Sequence, residues 1–302
     1  LSTGRVQGPT LKFLVEREIE INCFVPVPFW RIDAEVEING ETFKIEYERS
    51  VIKSLREAQS IVEDCSGRDG KIVNVDVREF HQAPPVPFDL GTLQREAYSL
   101  FRYTPRRTAD IAERLYLEAL ISYPRTSSQK LPKSINYRAI LESLGRNAKY
   151  KRLTGLLLGR ESLTPVEGKG YDPAHPAIYP TGNLPERELS QPERRLWDLI
   201  VRRFMAAFGE PAVKQSVKVS IDVNGHTFYL RGRRILREGW MIFYRPFLRV
   251  EDVILPPLKK GQTVKIKNVS WRQDFTRPPS RYNPSSLLKK MEDEGIGTKA
   301  TR

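Results

Sequence analysis

Histidine, cysteine and methionine are scarce in these 302 residues, at three, two and three. Cys23 and Cys65 are too few for a disulfide framework and too far apart for a Cys-x-x-Cys zinc site, so both are expected to be buried small hydrophobes of a cytoplasmic protein. No apolar run approaches the roughly 20 residues of a membrane-spanning helix, and no signal peptide is expected. Gly-x-x-x-x-Gly-Lys-Ser/Thr is absent, which leaves nucleotide hydrolysis without support. Asp-x-Asp is absent too, and the acidic run Glu292-Asp293-Glu294 reads as a solvated helix end, so no metal site is expected in this chain. The chain opens without Met and closes on Lys-Ala-Thr-Arg with no helix stop, which suggests an internal piece of a longer protein.

Basic residues, by contrast, are in excess. Fifty Lys and Arg against 37 Asp and Glu leave a formal charge of +13, which favours a polyanionic partner, nucleic acid first. Apolar content of 39% is enough for real cores, and the length suits two or three domains.

Periodicity divides the chain. Pro9, Leu11, Leu14, Val15 and Ile19 suggest a first helix after the loop Gly4-Arg5-Val6-Gln7-Gly8, in which Arg5 and Gln7 could face a phosphate or a base edge. From Arg31 the period becomes two, with Asn39-Gly40 as a hairpin turn. Ser50 is expected to cap a helix through Val62, followed by a strand on Val73, Val75 and Val77. A similar β-rich stretch returns around Asn224-Gly225 and again at Val264, Ile266 and Val269. The fold class predicted is a multidomain α+β one. A helical domain, 83–211, is inserted in a β-rich domain, 22–82 and 212–275, and 1–21 with 276–302 form part of a helical base.

Within the insert, one helix carries Leu93 to Phe101. A second starts at Thr104-Pro105 and is expected to run directly into Tyr123, at a dipole end that opposes a phenolate. The pair suits a helix-turn-helix unit or a plain helical hairpin. Residues 134–144 form a further helix, 146–189 read as loop-rich, and Ser190-x-x-Glu193 is a capping box for a helix bearing Arg194, Arg195, Arg202 and Arg203. Those arginines suit a solvated face or a nucleic-acid contact. At the end, Gly295-Ile296-Gly297-Thr298 suits either a helix stop or a phosphate-cradling nest.

The stretch Leu120 to Leu131 carries the chemistry. Tyr123 has an ordinary phenol, with a pKa of about 10 when free. Arg125 follows two residues later, and a guanidinium at roughly 4 Å favours the phenolate by about 4 kcal/mol at an effective dielectric near 20. The same cation can neutralise a phosphate under attack. By itself, Tyr-Pro-Arg is more often a turn after a core helix.

Four segments occur in one order: Gly4-Arg-Val-Gln-Gly-Pro, with Ser2-Thr before it; Ser122-Tyr-Pro-Arg-Thr; Asp172-Pro-Ala-His-Pro-Ala-Ile; and Pro278-Pro-Ser-Arg-Tyr followed by Gly295-Ile-Gly-Thr. In these the chain resembles type IA DNA topoisomerases over essentially its whole length, and Ser-Tyr-Pro-Arg-Thr-Ser-Ser-Gln looks most like the archaeal members. The resemblance implies a torus fragment and an ATP-independent enzyme that cleaves one DNA strand through a 5′-phosphotyrosine, passes a strand and relaxes negative supercoils. It implies Tyr123 as nucleophile, Arg125 on the scissile phosphate and His175 on the cleaved strand. It places Arg5, Gln7, Arg203, Arg281 and Thr298 among the contacts to DNA, mainly single-stranded. The family's Mg²⁺ belongs to a nucleotidyl-transfer (Toprim) domain that would be this chain's partner within one nucleoid-associated protein, so the chain alone is expected not to relax DNA. Ser127 stands where many relatives carry Asp, which leaves that carboxylate's role in doubt. Two rival readings are the topoisomerase module of a reverse gyrase and a single-stranded DNA-binding module without chemistry.

Overall fold

Alternating side chains and two Asn-Gly turns build a barrel. The computed structural model describes residues 4–249 and 251–298, so Ser2-Thr3 and Lys299 to Arg302 lie outside the described residues. Strands β1 (Pro28–Ile38), β2 (Glu41–Tyr47), β3 (Asp69–Gln82), β4 (Ala212–Val223), β5 (His226–Arg237) and β6 (Thr263–Phe275) close antiparallel in the order β1-β2-β5-β4-β3-β6. Asn39-Gly40 and Asn224-Gly225 all have positive φ, as type I′ turns require. The inward positions bury Ile32, Val36, Ile45, Ile221 and Phe228, and helix α2 (Leu55–Cys65) adds Ala58, Ile61 and Cys65 to that core. A bulge between Ile72 and Asn74 interrupts the expected valine strand, so Ile72 is buried while Val73 and Val77 are exposed.

Two local expectations change here. Helix α2 is capped by Ser54, not Ser50, because Ile52 is held extended in a two-bond bridge with Trp30. Cys23 is exposed, since α1 (Gln7–Asn22) buries none of its residues; only Cys65 behaves as a core thiol.

Between β3 and β4 stand α3 (Leu90–Phe101), α4 (Pro105–Leu117), α5 (Tyr137–Leu144), α6 (Ala148–Leu158) and α7 (Gln191–Ala207). They share a second core with α8 (Met241–Tyr244), which follows β5. Helix α6 replaces part of the expected loop; its stripe of Tyr150, Leu153 and Leu157 is short and broken by Gly155. Helix α9 (Pro284–Asp293) lies against α3 and α4, where Glu292 pairs with Arg95. The segment before α9 is tied to α1 by Arg281 on Glu18 and by Arg17 stacked on Tyr282 at 4.3 Å. No helix among the described residues is long and apolar enough to cross a membrane.

Glu193 fastens α7 to α4. Its buried carboxylate accepts from Arg114 Nε of α4 and Arg187 Nη1, both at 3.1 Å, and from the Ser190 hydroxyl at 2.7 Å. The Arg187 hydrogen bond, with those of Ser190, draws its pKa from 4.5 to about 2. A depressed carboxylate stabilises the fold above the unfolded value and loses that contribution as pH falls through the folded one. Acid should therefore remove up to about 3 kcal/mol between pH 4.5 and 2. Glu193→Gln should flatten that limb in urea unfolding measured against pH; an unchanged limb would sink the assignment.

Candidate active site

Helix α4 does not run into Tyr123. It stops at Leu117, Glu118 caps it, and Ala119 reverses the chain at φ 55°. Tyr123 then lies in a bent, non-helical loop, so the expected opposition from the end of its own helix does not arise. Burial alternates along it. Pro124, Thr126 and Ser128 turn into the protein, while Tyr123, Arg125 and Ser127 share the partly exposed face. The spacing Tyr-Pro-Arg is thus what puts phenol and guanidinium side by side.

The inward residues fasten this segment to the loop 168–180. Ser122 N–H donates to the Tyr179 carbonyl at 2.9 Å, and the Ser122 hydroxyl donates to the Ala177 carbonyl at 3.2 Å. Thr126 Oγ1 donates to the His175 carbonyl at 3.3 Å, and the Thr126 carbonyl accepts from Leu90 N–H of α3 at 3.1 Å. On the far side, Asp172 Oδ1 accepts from the backbone N–H of Ala174 at 2.9 Å and of His175 at 3.2 Å. These bonds, Ala174 first, hold the Asp172 carboxyl below its usual pKa.

The result brings three of the predicted residues together. The Tyr123 ring lies 4.6 Å from the His175 ring at 46°, and Tyr116 of α4 meets the Tyr123 ring edge-on at 5.4 Å and 73°. Among the described residues, nothing hydrogen-bonds the Tyr123 phenol oxygen. Arg125 Nη2 donates to Glu113 Oε2 of α4 at 2.8 Å, which raises the guanidinium pKa further. A groove of about 370 Å³ beside them is lined by Lys130, Tyr171, Asp172 and His175, among others.

The other predicted residues lie elsewhere. Arg5 and Gln7 are exposed at the start of α1 and make no hydrogen bond or ion pair to the Tyr123 loop. Arg281 is held by both oxygens of Glu18. Arg203 is a packing cation: it donates to the Val86 carbonyl at 2.8 Å, stacks 4.3 Å from Phe88 and leaves 12% of its side chain exposed. An open face for DNA at Arg203 is therefore not what α7 presents. Thr298 is exposed, and the first two amides of the expected nest are spent within α9's end. Gly295 N–H closes onto the Glu292 carbonyl at 3.1 Å and Ile296 N–H onto the Met291 carbonyl at 2.8 Å, so these amides stop α9 instead of facing a ligand.

Glu113 and Tyr116 were not singled out as functional by sequence reasoning; Tyr116 is 40% exposed. Their i,i+3 spacing on α4, one turn before the tyrosine loop, is the signal that was there to be used. Among the described residues no cluster of three or more His, Cys, Asp or Glu side chains could hold a metal. Glu113 is committed to Arg125 and Asp172 to backbone amides, so these residues do not fit a Mg²⁺ site.

Comparison with known proteins agrees with this geometry. The profile of a family described as DNA topoisomerase matches residues 1–302. DNA topoisomerase 1 of Pyrococcus horikoshii is 50% identical across all of this chain, which spans 44% of that protein. DNA topoisomerase 1 of Methanothermobacter thermautotrophicus is 46% identical, again across the whole chain, with 41% of its own length covered. The full-length topoisomerase I structure from Thermotoga maritima superposes with a TM-score of 0.76 at 27% identity, covering all of this chain and 50% of that one. The chain thus spans less than half the length of these two curated relatives, and it belongs to the type IA DNA topoisomerase family, most similar to archaeal members.

Proposed function

We propose that the full-length protein cleaves one DNA strand by attack of Tyr123, passes a strand through the gap and reseals it, relaxing negative supercoils without ATP. The observation that carries this is the loop that sets a phenol without a hydrogen-bond partner near Arg125 and against His175. In the step, Tyr123 Oη bonds to phosphorus and the P–O3′ bond breaks. The 3′ oxygen leaves with the electron pair and ends as a hydroxyl, so the proton lost by the phenol is balanced by the one gained there. The tyrosyl diester conserves the energy of the broken bond, so resealing is the reverse displacement. Positioning and charge carry most of a phosphoryl transfer, and here Arg125 would neutralise the phosphate while His175 holds the cleaved strand.

In this reading residues 83–211 are the tyrosine domain, 22–82 with 212–275 the arch, and 1–21 with 276–302 part of the base. Mg²⁺ is assigned to the family's Toprim domain and to none of these residues. The 302 residues alone would bind single-stranded DNA weakly, with a steep salt dependence, and would leave a supercoiled plasmid unrelaxed.

The test is to denature the full-length protein during reaction with a labelled single-stranded oligonucleotide and map the modified peptide. A 5′-phosphate on Tyr123 is expected. Binding with no adduct would instead support a DNA-binding module without chemistry. Efficient plasmid relaxation by residues 1–302 would refute the division of labour.

A further inference from the structure

Two side chains one helical turn apart on α4 each touch one member of the tyrosine loop. Tyr116 meets the Tyr123 ring, and Glu113 holds Arg125. Neighbours at i,i+3 on a helix share one face, so the two contacts dock the loop on α4 at two points.

We propose that Glu113 is a positioning residue for strand cleavage, which fixes the Arg125 guanidinium beside the Tyr123 phenol and offsets part of its charge there. This rests on the reading of Tyr123 as nucleophile. The Glu113 and Arg125 side chains are 47% and 34% exposed, and an ion pair so placed contributes little to stability. Its effect on direction is another matter. A guanidinium on a three-carbon stem has many rotamers, and one bond from Nη2 selects among them while leaving its other N–H groups for a phosphate. Arg125 is faced by Glu113 and Asp110 from α4 and by Tyr123 from its own loop. Tyr123 is in turn faced by Tyr116 from α4, by His175 from the 168–180 loop and by Arg125. With Glu113 ionised, the phenol sits near a largely neutral pair.

The test uses full-length protein, single-turnover cleavage of a labelled single-stranded oligonucleotide across pH, and oligonucleotide affinity by fluorescence anisotropy. Glu113→Ala should slow cleavage about tenfold with affinity changed less than about twofold. Glu113→Gln keeps an acceptor for Nη2 but not the charge. It should recover the rate to within about threefold and move the rising alkaline limb down by about half a pH unit, because the uncompensated guanidinium favours the phenolate. Wild-type cleavage by Glu113→Ala would overturn the proposal, as would equal impairment of both variants with no shift of the limb. Absence of any Tyr123 adduct in the wild-type protein would overturn the underlying reading instead.

Discussion

Tyr123→Phe in the full-length protein is expected to abolish the covalent DNA adduct, by at least about 10⁴-fold, while affinity for a single-stranded oligonucleotide stays within about threefold. The size of the effect follows from what the substitution removes. The ring remains, and with it the contacts to His175 and Tyr116, so the loop keeps its shape. The phenol oxygen has no hydrogen-bond partner among the described residues, so its deletion leaves no orphan behind and costs little stability. Only the proposed nucleophile is lost. The loop residues Ser127 and Lys130 cannot substitute without moving the backbone, because the alternating bonds of Ser122 and Thr126 to the 168–180 loop fix the register. Arg125→Ala should show a smaller defect, about 10²–10³-fold in cleavage, as expected for removing a charge aimed at the phosphate. Adduct formation by Tyr123→Phe, or equal loss of binding and cleavage, would contradict the assignment.

The sequence carried this site in its order of motifs more than in any local preference. Alternation along Tyr123, Pro124, Arg125 and Thr126 was readable, yet the apolar period of α4 continues through Leu120 and Ile121 and hides the helix end. What ends the helix is the positive φ of Ala119, a residue with no preference for it. The β-rich domain was legible because two Asn-Gly pairs announce its hairpins; its closure into a barrel rests on the β1–β6 and β3–β6 pairings, which join strands far apart in the chain. Helix α6 was not, since a stripe of three residues can equally mark an ordered loop. Arg203 shows the other limit. A basic residue on a helix reads as a surface cation until the fold supplies Val86, Phe88 and Glu96 around it. Glu292 on Arg95 and Glu193 on Arg114 likewise join residues far apart in the chain, which no periodicity reports.

Asp198→Ala should destabilise the helical core by about 3–5 kcal/mol, the largest stability effect expected of a polar substitution here. Asp198 sits inside α7, 7% exposed, where a carboxylate needs every lone pair answered. Its Oδ1 accepts from the Tyr150 hydroxyl of α6 at 2.8 Å and from Arg202 Nε at 3.0 Å, and Lys149 Nζ lies 2.9 Å from Oδ2. Arg202 reaches on to the Phe243 carbonyl of α8 at 3.1 Å, so one carboxylate organises three helices. Burial, reinforced by Asp198, pushes the Tyr150 phenol well above its ordinary pKa, so Tyr150 stays a donor throughout the working range. Removing the carboxylate leaves Arg202 charged and buried without a counter-ion and Tyr150 without its acceptor. Replacing both charges, as Asp198→Leu with Arg202→Met, removes the uncompensated cation and should recover most of the loss in urea midpoint. A double variant as unstable as Asp198→Ala would assign the cost to packing, not charge. Because α7 also braces α4 through Glu193 and Arg114, adduct formation at Tyr123 should fail in Asp198→Ala only as the helical core melts, and survive well below that temperature. Loss of the adduct in a still-folded Asp198→Ala protein would mean that the network acts on the site directly.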